Sequence, residues 1–116
     1  MNIFPFCYTV NAGTIVDGGT ADPVSVQISS KQDFVLTALR AVGNTGITLN
    51  IADANGTNFT SKPVQTALLK GSNGNGLVLL QPVLIPKSTN LIFTFYNNSG
   101  TGDVADEQLQ LWGYEQ

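Results

Sequence analysis

The sequence predicts an all-β fold: a single-domain antiparallel β-sandwich of roughly seven or eight short strands. Three observations carry that expectation. Helix signals are nearly absent, because Pro and Gly interrupt almost every stretch long enough for a helix and the unbroken ones are rich in β-branched residues. Apolar and polar residues alternate with period two in the segments around Ile47–Ala52 and Leu91–Tyr96. Turn sequences recur about every 8 to 12 residues, the spacing of sandwiches and barrels. With 116 residues and 42% apolar content, the chain makes one domain over residues 1–116.

Taken in order, Phe4 to Val10 is expected as an edge strand. Residues 1–5 read equally as an extended N-terminal arm laid on a neighbour or as a frayed end. Val24, Val26 and Ile28 mark a second strand. Residues 34–42 contain the good helix formers Ala38, Leu39, Arg40 and Ala41. Strand is preferred there, with Phe34, Leu36 and Ala38 on one face and Val35, Thr37 and Leu39 on the other. Gly43-Asn44-Thr45-Gly46 then turns the chain into a strand whose apolar line is Ile47, Leu49 and Ile51. Asn55-Gly56 supplies a tight reversal, and residues 57–61 are expected to return as a short strand.

Pro63 opens a further segment, Val64 to Lys70, closed by the loose Gly71-Ser72-Asn73-Gly74-Asn75-Gly76, a flexible hairpin or inter-sheet loop. Leu77 to Leu80 is a continuous apolar run. Pro82 and Pro86 lack the amide donor that a central ladder position requires. After the turn Lys87-Ser88-Thr89-Asn90, Leu91, Phe93 and Phe95 face one way and Ile92, Thr94 and Tyr96 the other. That second face is less polar than a solvent-facing strand should be. The last strand carries Leu109 and Leu111 on one face and the amphipathic Trp112 and Tyr114 on the other. Two sheets packed face to face would share these apolar lines as a core. An immunoglobulin-like module would show two cysteines bracketing a tryptophan, which this chain lacks; a jelly roll, with its long connections between opposite sheets, fits better.

Composition excludes several function classes. Charged residues are only 11% of the chain, and Thr, Asn, Ser, Gln and Gly stand in their place. A neutral polar surface protects poorly against self-association, which suits a subunit covered by neighbours. The five basic residues, Lys31, Arg40, Lys62, Lys70 and Lys87, are scattered at a net charge of −3, so no nucleic-acid partner is expected. No segment approaches the run of about 20 apolar residues of a membrane span, and Met1 to Pro5 lacks the pattern of a signal peptide. The lone Cys7, between Phe6 and Tyr8, is expected as a buried structural thiol.

There is no histidine, hence no usual general base near neutral pH. Asp103, Asp106 and Glu107 form the tightest acidic cluster but read as solvated loop residues, so no catalytic residue and no enzyme activity are expected. Asp53-Ala54-Asn55-Gly56-Thr57-Asn58 begins like a calcium loop, but Val64 stands where the twelfth, acidic ligand belongs. Asx-type turns are the simpler reading, and no metal or cofactor is expected. Trp112 and Tyr114 could form a sugar-stacking platform; with one Trp in the chain, a protein–protein interface is preferred.

Three stretches carry a family resemblance: Phe34 to Asp53, Leu79 to Gly100, and Leu109 to Tyr114, together about half the chain. Their order resembles small jelly-roll virion proteins of tailed bacteriophages, of the capsid cement or decoration type. In those proteins a proline-led strand with an Asn-containing end precedes a last strand ending at a flanked glycine. Pro82, Pro86, Lys87 and Ser88 match the start of that block, Asn97 and Asn98 its end, and Gly113 the terminal glycine. The basic residue often found near that glycine is absent, since Glu115 and Gln116 stand there. The resemblance implies a non-enzymatic capsid decoration subunit on the phage head. Its implied partners are further copies of itself, as a homotrimer, and the major capsid protein or another virion protein. The expected interface residues are Phe4, Phe6, Tyr96, Trp112 and Tyr114. The alternative is a carbohydrate- or receptor-binding module on a phage fibre or bacterial surface.

Overall fold

A computed structural model describes residues 4–60, 62–70 and 76–116. In chain order the elements are β1 (Phe4–Asn11), β2 (Val24–Gln27), β3 (Phe34–Ala41), β4 (Ile47–Asp53), β5 (Val64–Gln65), a 3-10 helix (Thr66–Lys70), β6 (Leu77–Ile85), β7 (Asn90–Asn97) and β8 (Gln108–Glu115). Two four-stranded sheets form, ordered β1-β8-β3-β6 and β2-β7-β4-β5. Every pairing is antiparallel, and β1 pairs β8, β2 pairs β7, β3 pairs β6 and β4 pairs β5. The strands are thus nested as one long hairpin with β4 and β5 at its tip. Rolling that hairpin over closes it through the β3·β8 and β4·β7 pairs. This is the jelly roll.

The core lies between the sheets. Leu91, Phe93 and Phe95 of β7 are fully buried and meet Leu49 and Ile47 of the same sheet and Phe34, Leu109 and Leu111 of the other. Ile92, Thr94 and Tyr96 lie half-buried on the outer side, so the period-two reading of β7 holds residue by residue. At one end Phe6 packs tilted against Tyr8 (ring centroids 4.7 Å apart), and Tyr8 meets Phe34 edge-on at 5.0 Å. β7 runs between β2 and β4, so it is an interior strand.

Four expectations need correcting. In β3 the register shifts between Leu36 and Ala38 against both neighbours, which leaves Thr37 as a bulged extra residue. The bulge exchanges the faces of β3. Phe34 and Leu36 point inward before it, Leu39 and Ala41 after it, and Ala38 turns outward. The Thr37 hydroxyl donates to the Trp112 carbonyl at 3.2 Å and holds the bulge. On β6 the residues between Val78 and Val83, Pro82 among them, sit opposite this irregularity. A residue with no N–H is tolerated there, as it is anywhere along an edge strand.

Second, residues 57–60 make no strand, and Ser61, the end of that expected segment, lies outside the described residues. Only an isolated Ala52↔Asn58 bridge forms, because the Asp53 carboxylate caps the turn by accepting from the Asn55 and Thr57 amides at 2.9 Å each. Third, Val64–Lys70 pairs for only two residues before winding into the 3-10 helix. There Thr66 is buried with its hydroxyl on the Ile47 carbonyl, and Leu69 drops into the core. Anchoring both three residues apart suits a 3-10 turn, whose side chains at i and i+3 eclipse. Fourth, Cys7 is half-buried. Core-facing Tyr8 and Val10 alternate with it, so it lies on the outer side of β1.

Phe4 and Pro5, placed in the expected arm, pair with Glu115 and Tyr114 in β1. Met1 to Ile3 lie outside the described residues, as does the Gly71–Asn75 part of the expected loop.

Candidate interaction surface

The acidic residues serve as loop ties. Glu107 is buried, and its carboxylate accepts from the Gly43 amide (3.1 Å), the Asn44 amide (3.1 Å) and Asn44 Nδ2 (2.8 Å). Asp106 accepts from Asn44 Nδ2 at 3.0 Å. Asp103 accepts from the Asp17 amide, while the Asp17 carboxylate takes the Gly100 and Gly102 amides. These contacts join the β1–β2, β3–β4 and β7–β8 loops at one end of the sandwich. Glu107 is therefore no solvated loop acid. Among the described residues, no group of three or more His, Cys, Asp or Glu side chains could hold a metal ion.

Asn97, the last residue of β7, is a buried lock at the same end. Its Nδ2 donates to the carbonyls of Ile15 (3.0 Å) and Gly102 (2.9 Å), and its Oδ1 accepts from the amide and hydroxyl of Ser99. A buried amide with donor and acceptor both satisfied fixes three segments against one another.

The outward side of the β1-β8-β3-β6 sheet is where apolar groups meet solvent. Registers align Cys7, Trp112, Ala38 and Val78 in one cross-strand row and Tyr114, Val35 and Leu84 in the next. Trp112 is 42% exposed and Val78 74%. Leu84 is exposed as well, and Leu80, in the irregular part of β6, reaches 104%. Val35 is buried without joining the core between the sheets, because Tyr114 and Leu84 flank it on the outer face. Trp112 Nε1 donates to Gln110 Oε1 at 3.0 Å, which leaves the indole with no free polar handle. The charged member of this face is Arg40, one row further along, in register with Gln110.

The opposite sheet presents a different face. Thr48 faces Tyr96 and Asn50 faces Thr94 across β4 and β7, while Ser25, Ile92 and Ala52 form the next row, an uncharged and mostly polar surface with one apolar row.

Of the expected interface residues, the structure brings together Trp112 and Tyr114. Tyr96 lies on the opposite outer face, and Phe6, 40% exposed, packs tilted against Tyr8 at one end of the core. Phe4 is in β1, but its side chain lies outside the described residues. Val35, Val78, Leu80 and Leu84 were not among the expected interface residues. The signal available was the run LVLLQPVLI, apolar on both faces of one strand.

In comparisons with known proteins, no family model matches the chain, and no curated protein or solved structure matches it significantly.

Proposed function

We propose that the protein is a non-enzymatic virion structural subunit, a capsid decoration or cement protein that self-associates as a homotrimer and bridges major capsid protein subunits on a phage head. A jelly roll alone serves capsid and lectin domains alike, so the fold does not choose between them. The observation that carries the reading is the outward face of the first sheet. Its exposed side chains are Trp112, Val78, Leu80 and Leu84 with half-buried Tyr114, a composition typical of buried protein contacts. It is a poor sugar platform, because Trp112's neighbours in its row (Cys7, Ala38 and Val78) offer no hydroxyl or amide.

The first partner of this face is a second copy of the chain. β1 and β6 are the two open edges of the same sheet, so a head-to-tail contact of β6 with the next copy's β1 edge repeats around a ring. A ring of three then leaves the remaining faces for the capsid lattice.

Light scattering on the full chain tests this reading, with a trimer expected. Leu80→Lys combined with Trp112→Ala places a charge on the β6 edge and removes the aromatic anchor. The variant is expected to run as a monomer with an unchanged far-ultraviolet circular dichroism spectrum. Mass spectrometry of purified virions should find the chain among the particle proteins. A wild-type chain that is monomeric and retained on a glycan column would overturn the proposal.

That outcome would favour the second reading, a carbohydrate- or receptor-binding module. One observation supports it: on the second sheet Thr48 and Thr20 flank Tyr96 in register, with Thr94 and Asn50 in the next row.

A further inference from the structure

The two edge strands on one side of the sandwich are unequal. β6 runs for nine residues, whereas β5, across from it in the other sheet, has two and pairs only with Thr48 and Leu49. Beyond them the chain at Asn58 to Thr60 touches β4 through single contacts, such as the Phe59 amide to the Ile51 carbonyl at 2.8 Å. The sheets are therefore left apart between β6 and this segment. The gap is a cavity of about 180 Å³. Leu36 and Leu111 line it from the first sheet, Ile51 and Leu91 from the second, and Phe59 and Val83, both partly exposed, stand at its mouth.

We propose that this slot binds one small, uncharged, apolar molecule, the size of a benzene ring carrying a short alkyl group. A cavity of about 150 Å³ lined by Leu, Ile and Phe stays dry and takes up benzene, so one of this volume holds the ring and a little more. Among the described residues Thr60 supplies the only polar side chain of the lining, and its hydroxyl donates to Asn50 Oδ1 at 2.9 Å. Among the described residues no charged side chain lines the slot, so water inside would have few of the two to four partners it needs and a ligand's charge would go unpaired. The site therefore selects for apolar character, and it discriminates against hydroxylated rings of equal size.

The probe is ethylbenzene, added to the full-length protein and followed by methyl-resolved NMR and by thermal unfolding. Saturable binding of one molecule is expected, with shifts concentrated on the methyl groups of Leu36, Ile51, Leu91 and Leu111 and a rise in Tm. Phenol should bind at least about tenfold more weakly, since its hydroxyl would be left unpaired. Val83→Phe fills the mouth and should abolish the shifts while the protein stays folded. The phenol comparison uses the unaltered chain and does not depend on how that variant folds. Absence of any ethylbenzene shift near its solubility limit would overturn the proposal. So would equal affinity for phenol, or binding undiminished in a folded Val83→Phe variant.

Discussion

Gly113→Ala is the substitution from which the packing of the two central strands can be read most directly. Gly113 lies in β8 opposite Leu36, beside the bulge at Thr37. A Cβ built on it would overlap the Val35 carbonyl oxygen and come within 3.0 Å of Phe34 Cζ. The first obstacle is backbone in the middle of a sheet, held on both sides by β8 and β6. The second is a ring with no solvent exposure and so nowhere to swing. Overpacking a core costs about 1–3 kcal/mol, and a backbone obstacle places this case at about 3 kcal/mol. Against a total stability of about 5–15 kcal/mol, that is a large fraction. At about 4 °C per kcal/mol for a domain of this size, Tm should fall by about 12 °C. The assay is denaturant unfolding followed by the fluorescence of Trp112, the single tryptophan, with circular dichroism as a second probe. Gly100→Ala is the control: its φ is +69° but nothing stands within 4 Å of the added carbon, so only the backbone cost of about 1 kcal/mol applies. A loss below about 0.5 kcal/mol in Gly113→Ala would refute the close approach of β3 and β8 at this point.

The remaining predictions concern the ties at the loop end. Glu107→Gln turns one acceptor oxygen into an NH₂ that faces the donors of Gly43 or Asn44. A loss of about 2 kcal/mol is expected in urea unfolding, with faster hydrogen exchange at the Gly43 and Asn44 amides and unchanged exchange in β7. Asn97→Asp replaces a buried donor, aimed at the Ile15 and Gly102 carbonyls, with a carboxylate. It should cost about 3 kcal/mol at neutral pH, and the loss should shrink in acid, where a protonated carboxyl can again donate.

How much of this was legible in the sequence depended on whether local pattern alone settled the outcome. β7 and β4 were legible because one face of each is wholly apolar, and a one-residue slip would expose it. Trp112 and Tyr114 were placed on an outer face for the same reason, since Leu109 and Leu111 alternate with them. β3 misled because its face assignment changes at Thr37, and that bulge is held by a hydroxyl contact to a residue far along the chain. In β6 both faces are apolar, so periodicity could not say which residues turn outward. Phe6 packs against Tyr8 at one end of the core yet keeps 40% of its surface exposed, a tertiary outcome that its place in the sequence does not reveal. Glu107 looked like a solvated loop acid, because nothing in the acidic stretch shows which carboxylate will be buried.

The shortness of β5 links the two proposals. Nested pairing leaves β4 and β5 at the tip of the long hairpin, the place where the sheets depend least on a full-length strand. Burial of Thr66 and Leu69 in a 3-10 turn withdraws that part of the chain from the edge, and β6 loses the strand that would lie across from it. A strand left open in this way must be defended by charge, covered by chain or covered by a partner. Across Leu77–Ile85 there is no charged residue, and apart from Gln81 the exposed side chains are apolar. The inward side of the same strand borders a cavity that no side chain of the described protein fills. Lengthening β5 along β4 would close the cavity and leave the outward row untouched. A charge at Leu80 would do the reverse, so the cavity and the assembly face can be perturbed separately on one strand.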